Sequence, residues 1–248
     1  MDTDHIIQER PHLKDIFRLY GTVQAFVSSV LDDGIGGIGP EVRCYPASLV
    51  DKVCSAFSSS FDVPEESLSP IRDAMRQGRL DFTRLPLDEL PSFSLPFHEE
   101  EVRTILFLIS RPFFTRLREV NPVDNLPWTE GRCPLCHGKP VMAKIETEER
   151  RRLHCSFCGT DGYYPRLGCP LCRASDTGKI VIFTSEQEEG FRIDACDSCG
   201  SYMKTITSSS GDMNFDVADL VSMPLDIVAQ RKGYVRPSPN PVGMISIL

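Results

Sequence analysis

Eight of the ten cysteines in this 248-residue chain occur in pairs separated by two residues. The pairs, here called knuckles one to four, are Cys133/Cys136, Cys155/Cys158, Cys169/Cys172 and Cys196/Cys199. A knuckle directs two sulfurs toward one point, and two knuckles supply a tetrahedral four-sulfur shell at ~2.3 Å from a metal ion. We therefore predict two mononuclear metal sites, the first shared by knuckles one and two and the second by knuckles three and four. Crossed pairings stay open, as does the choice between zinc and iron, because both ions accept four thiolates.

Three other uses of paired cysteines fit this sequence less well. A redox dithiol needs only one knuckle and a βαβ context, which the residues around these knuckles lack. Structural disulfides are rare in the cytosol, and iron–sulfur clusters seldom use two separated pairs. Because four protein thiolates leave no open position for an activated water, we predict no catalytic residue and no enzymatic activity.

The elements that must position the knuckles follow from the spacing of apolar residues. Steps of three and four predict helices, and short apolar runs between turns predict strands. Helices are expected over 11–31, 47–57, 71–77, 99–110 and 212–232, and strands over 178–184 and 190–194. Pro112 is expected to kink or restart the fourth helix, and Pro224 to kink the last. The proline-rich end of the chain, from about residue 236, is expected to be extended and poorly ordered.

These elements predict an α+β protein with four units. An N-terminal helical bundle occupies 1–128, and the first four-cysteine metal module occupies 129–167. The second four-cysteine module occupies 168–211, and a closing C-terminal helix with an extended tail occupies 212–248. The first boundary follows a linker punctuated by prolines, NPVDNLPW at 121–128.

Charge and hydropathy narrow the classes of partner. The net charge is −8, from 27 basic and 35 acidic residues, and the cysteine-rich region 131–205 is nearly neutral, with 11 basic and 10 acidic residues. An acidic protein gains little from counterion release, so nucleic acid is not expected as a partner. No apolar run reaches the ~18–20 residues of a membrane helix, and the first residues lack the apolar stretch of a signal peptide. We predict a cytoplasmic protein without membrane insertion, of open oligomeric state.

The knuckle sequences resemble those of the formate dehydrogenase accessory protein family, FdhE. The segments are CPLCHGKP at 133–140, LHCSFCGTDGYY at 153–164, CPLC at 169–172 and ACDSCGSYMK at 195–204. The resemblance continues through DVADLVSMPLDIVAQRKGYVRPSPNP at 216–241, so it covers about residues 128–241. All eight knuckle cysteines match the family pattern by position.

The resemblance implies a cytosolic assembly factor that acts on the catalytic subunit of formate dehydrogenase. It also implies rubredoxin-like or zinc-ribbon sites, in which iron can replace zinc. Tyr202 and Lys204 match the family's last motif, and we consider them as partner-binding residues or as packing for the fourth knuckle. Two other functions stay open: a redox-active rubredoxin-like protein for electron transfer or sensing, and a nucleic-acid-binding zinc ribbon.

Overall fold

A computed structural model describes residues 4–32, 34–35, 38–39, 41–91, 95–207 and 213–247. The α-helices are α1 (Asp4–Glu9), α2 (Lys14–Asp32), α3 (Ala47–Phe61), α4 (Glu65–Arg76), α5 (Glu99–Val120), α6 (Phe215–Val221) and α7 (Met223–Arg231). Single 3-10 turns cover Pro11–Leu13, Phe82–Leu87 and Thr177–Lys179. The strands are β1 (Leu126–Pro127), β2 (Met142–Ile145), β3 (Arg150–His154), β4 (Asp161–Pro165), β5 (Ile180–Phe183), β6 (Phe191–Cys196) and β7 (Ser201–Ile206). The predicted α+β class is confirmed.

The helical half is built on the apolar faces of its helices. Phe26 of α2 and Phe57 of α3 are fully buried, and their rings meet edge to face with centroids 5.5 Å apart. The third helix begins at Glu65, earlier than predicted, although Pro70 lies inside it. Proline cannot donate to the carbonyl of Glu66, and the hydroxyl of Ser69 donates to that carbonyl instead. A local hydrogen bond therefore allows the helix to extend through the proline.

Helix α5 also continues through a proline, so the expected end at Ser110 is wrong. Pro112 has no N–H for the carbonyl of Leu108, which weakens the helical ladder at this point. The buried hydroxyl of Tyr45 fills the next step of the ladder: it donates to the carbonyl of Ile109 (2.7 Å) and accepts from the N–H of Phe113 (3.1 Å). A side chain from a distant loop thus keeps α5 continuous as far as Val120.

One seven-stranded sheet contains both cysteine-rich modules, in the order β1-β4-β3-β2-β7-β6-β5. The two modules join where β2 pairs in parallel with β7, with Met142 opposite Lys204. Trp128, at the end of the predicted linker, is buried against β4, and a Cβ at Gly162 would lie 2.1 Å from its indole nitrogen. The linker is therefore part of the sheet, and the division of the chain into four domains stays a prediction.

The closing segment differs from the single helix that was predicted. It forms α6 and α7, which separate at Ser222, two residues before Pro224. The expected helix start at 212 and the boundary at 211–212 lie outside the described residues.

The expectation of a poorly ordered tail is wrong. Asn240 is fully buried, and its side-chain oxygen accepts from the N–H groups of Val242 (3.1 Å) and Met244 (2.9 Å). Ser238 and Val242 are also buried. Buried side chains lie between the prolines of this segment. They fix the course of the backbone, although it forms no helix or strand.

Within the described residues, no helix combines the length and the apolar character needed to cross a membrane.

Tyr45→Phe removes the hydroxyl that bridges Ile109 and Phe113. We expect the free energy of unfolding in urea to fall by about 1–3 kcal/mol, because a buried carbonyl and a buried N–H lose their partner. Tyr20→Phe is the control, since its hydroxyl makes a long contact of 3.4 Å with Asp216. A loss no larger than that of the control would contradict the bridging role.

Candidate metal centres

The first four-cysteine group lies where two turns of the first module meet. Knuckle one precedes β2, and knuckle two follows β3. The sulfur of Cys133 lies 3.4 Å from that of Cys158, and the sulfur of Cys136 lies 3.4 Å from Cys155 and 3.5 Å from Cys158. The structure thus brings knuckles one and two together, as the sequential pairing predicted.

The second four-cysteine group joins knuckle three to knuckle four, which lies in the turn between β6 and β7. Its sulfur distances are 3.9 Å between Cys169 and Cys199 and 3.8 Å between Cys172 and Cys196. A tetrahedral shell at ~2.3 Å from a metal places sulfurs ~3.8 Å apart. In each group the four sulfurs all lie within 4.8 Å of one another, so both donor sets fit a thiophilic ion.

All four knuckles use the same backbone turn. The residue after the second cysteine has a positive φ in every case, namely His137 (61°), Gly159 (73°), Arg173 (63°) and Gly200 (68°). Gly159 and Gly200 donate back to the carbonyls of Cys155 and Cys196, both at 2.8 Å. Glycine adopts this conformation without strain, whereas His137 and Arg173 adopt it at some cost, which the convergence of the sulfurs must offset.

Close approach to the sulfurs explains a second glycine in knuckle one. A Cβ at Gly138 would lie 3.2 Å from the sulfur of Cys155 and 3.4 Å from that of Cys136. The bare backbone therefore permits the loop to close over the first group.

Burial and neighbouring thiols shift the pKa values of three cysteines in the first group. Burial raises the pKa of Cys136 and of Cys155 well above the ordinary thiol value. Hydrogen bonds from neighbouring thiols lower the pKa of Cys133. A divalent cation held by the four thiolates would replace their protons.

His154 directly precedes Cys155 of knuckle two. The structure buries it between two carboxylates, with Nδ1 2.5 Å from Asp161 and Nε2 3.3 Å from Asp216. Burial acts to lower the pKa of His154, but the two carboxylates outweigh burial and raise it to about 10. A charged His154 thus fastens α6 to the sheet beside knuckle two.

Tyr202 and Lys204, considered as partner-binding residues, lie inside the protein. Tyr202 is 1% exposed and Lys204 is 0% exposed. The Tyr202 hydroxyl donates to Asp226 (2.7 Å), and Lys204 Nζ donates to Asp226 (2.5 Å) and to the carbonyl of Asp219 (2.6 Å). This geometry favours packing below the fourth knuckle over contact with a partner.

The partners of Lys204 belong to a buried cluster of four charges that sequence reasoning missed. Arg236 binds both Asp219 and Asp226, so two cations face two carboxylates with almost no exposure. The attraction of Arg236 and Lys204 lowers the pKa of Asp219 against the effect of burial. The sequence feature that could have revealed this cluster is the pair Asp219 and Asp226, two acidic residues seven positions apart in an apolar segment.

Comparisons with known proteins agree with the cysteine geometry. Residues 168–242 match a family model described as FdhE, C-terminal domain. A protein FdhE homolog of Aquifex aeolicus is 30% identical over 144 residues, which are 55% of this chain and 51% of that protein. Protein FdhE of Escherichia coli O9:H4 is 33% identical over 114 residues, 44% of this chain and 36% of that protein. The chain thus spans about half or less of the length of these relatives.

The fold as a whole is similar to a solved structure. The crystal structure of the FdhE protein from Pseudomonas aeruginosa matches with a TM-score of 0.61 and 21% sequence identity. The match covers 92% of this chain and 88% of that one, so the likeness in fold includes the helical half.

The double variant Cys196→Ser/Cys199→Ser tests whether knuckle four supplies ligands to one of two metal ions. We expect it to lose one of two bound metal ions per chain, because the second group keeps only two sulfurs, and to retain the other. Elemental analysis of the purified protein measures this. Cys44→Ser/Cys54→Ser is the control and retains both ions, since these cysteines lie in the helical core. Two ions in both variants would contradict the assignment of knuckle four to a metal site.

Asp226→Asn tests the buried charge cluster. The substitution preserves the side-chain volume but leaves Lys204 and Arg236 with one carboxylate, so we expect a loss of about 3–5 kcal/mol in the free energy of unfolding. Glu130→Gln, which breaks an exposed pair with Arg173, is the control and should have little effect. Equal losses in the two variants would show that the cluster adds no stability.

Proposed function

From the premise that this chain belongs to the FdhE family, as its knuckle motifs predicted, we propose that it is a maturation factor for formate dehydrogenase. It binds the catalytic subunit of that enzyme in the cytoplasm and supports its activation, without a catalytic reaction of its own. The observation that carries this proposal is the pair of four-cysteine groups, built on the motifs that the family shares.

The eight knuckle cysteines hold two metal ions in this proposal, each zinc or iron. Bound zinc would stabilise the knuckle turns, and bound iron would in addition exchange one electron. The chain itself converges the sulfurs, excludes water from the first group and holds the knuckles on a common sheet.

A groove beside the second module supplies the surface for the client enzyme. It encloses about 950 Å³ between the first half of α5, the 3-10 turn at Phe82–Leu87 and the ordered tail. Apolar residues form most of its wall, among them Leu90, Phe97, Ile105, Val235 and Met244. Asp88, Glu99, Glu100 and Glu101 line one end, against Arg103 and Lys139.

This combination suits a polypeptide segment with an apolar stretch and adjacent basic residues. Apolar walls give affinity through burial, and the acidic end gives orientation through charge complementarity. The occupant we propose is such a segment of the formate dehydrogenase catalytic subunit.

Electron transfer at the second group is a second candidate function. Cys172 and Cys199 are exposed, so an iron ion held there would lie close to a redox partner.

Nucleic acid is not proposed as a partner because two of the three arginines of β3 lie beside acidic residues. Arg151 lies 3.6 Å from Asp194, and Arg152 pairs with Glu146 at 2.6 Å.

A tagged chain in its native host, grown anaerobically with formate, tests the proposed function. We expect it to recover the formate dehydrogenase catalytic subunit, and a host without the chain to have low formate dehydrogenase activity. Val235→Glu places a charge on the groove wall at a residue that is 60% exposed, and it should reduce recovery of the subunit. Ile182→Glu is the matched control on β5, 52% exposed and outside the groove.

Two results would contradict this proposal. Normal formate dehydrogenase activity without the chain would exclude the maturation role. Equal recovery of the subunit by the Val235 and Ile182 variants would exclude the groove as its binding surface.

A further inference from the structure

The two four-cysteine groups differ sharply in exposure. In the first group every cysteine is at most 5% exposed, and all four belong to the hydrophobic core. In the second group Cys169 and Cys196 are buried, at 4% and 1%, whereas Cys172 and Cys199 are exposed. Each knuckle of the second group therefore has one buried and one exposed cysteine.

The helical half covers the first group. Phe157, inside knuckle two, lies against Phe107 and Phe114 of α5, with ring centroids 5.0 Å and 5.6 Å apart. Pro86 approaches the same group from the 3-10 turn, within 3.4 Å of the position of a Cβ at Gly138. All four cysteines of this group pack in the core, and of them Cys133 also borders a cavity of about 490 Å³ that Cys172 lines too. Displacing more than one thiolate of the first group therefore requires part of the core to open.

The second group has less cover. Its knuckle three packs against Gly131 of the first module, where a Cβ would lie 1.8 Å from the carbonyl oxygen of Pro170, and the Tyr234 hydroxyl donates to Asp197 of knuckle four (2.6 Å). Knuckle three is followed by exposed residues from Cys172 to Lys179, apart from the half-buried Ala174. Knuckle four is a turn whose residues Asp197, Ser198 and Cys199 are exposed. A small chelator can therefore approach the ion from the side of Cys172 and Cys199 and displace one thiolate at a time.

We propose that the second group is an exchangeable metal site, whereas the first is a permanent one. The proposal rests on the metal binding proposed above. The second site takes up and releases a thiophilic divalent cation while the chain stays folded, and the released thiolates take up protons from solvent. The first site keeps its ion until the core unfolds. The physical basis is that local opening of a protein costs much less free energy than global unfolding.

Release of the ion from the second site also affects the groove. The N–H of Val235 donates to the carbonyl of Gly200 (2.8 Å), directly after knuckle four, and the N–H of Tyr202 donates to the carbonyl of Val235 (3.2 Å). Val235 forms part of the groove wall. Loss of the ion should therefore loosen this wall and accelerate hydrogen exchange at the amide of Val235.

The experiment challenges the zinc-loaded full chain with an excess of the colorimetric chelator 4-(2-pyridylazo)resorcinol. We expect one equivalent of zinc to leave at least ~100-fold faster than the other, with the helical circular dichroism unchanged during the fast phase. Iodoacetamide labelling followed by mass spectrometry should modify the four cysteines of the second group first. Cys172→Ser/Cys199→Ser should abolish the fast phase and keep the slow one, and Cys44→Ser/Cys54→Ser should keep both.

Release of both equivalents at one rate would overturn the proposal, as would first labelling at the cysteines of the first group. Loss of the helical signal together with the first equivalent would also overturn it. These results are separate from the proposed function: biphasic zinc release in a chain that recovers no formate dehydrogenase subunit would reject only the maturation role.

Discussion

The parallel pairing of β2 with β7 is the contact on which the rest of the structure depends. Each cysteine-rich module by itself is a small set of short strands, too small to bury a core of its own. Joined at Met142 and Lys204, they form one sheet with a face large enough to receive α5 and the closing helices. The sheet then holds the turns of both modules, so this pairing sets where the two four-cysteine groups lie relative to each other.

Lys204 shows how the junction is reinforced. A lysine in the middle of a sheet would be costly if its charge were unpaired, and here two carboxylates from the closing segment and Arg236 from the tail complete a neutral set. The cluster fastens α6, α7 and the tail to β7 at one place. The tail in turn forms a wall of the groove, which connects the stability of the junction to the surface proposed for the client.

The helical half gives the two metal centres different surroundings. Its longest helix, α5, lies over knuckle two through Phe107 and Phe114. At knuckle four the Tyr234 hydroxyl donates to Asp197 (2.6 Å), and Cys199 stays exposed. Two sites with the same ligands and the same turn are therefore expected to differ in exchange. In the proposed maturation role, one permanent and one exchangeable centre would let the chain keep its fold while the second centre responds to its surroundings.

The local features of this protein could be predicted from its sequence alone. The spacing of the cysteines predicted two groups of four, and their neighbours predicted the family, because knuckle turns depend only on a few adjacent residues. Apolar spacing predicted the faces of α2 and α3 for the same reason. The tertiary structure alone decided that Tyr45 carries α5 through Pro112, that the tail is ordered, and that Tyr202 and Lys204 are buried. It also decided which of the knuckle cysteines are exposed. Each of these features depends on contacts between residues far apart in the chain, and the spacing of neighbouring residues does not predict such contacts.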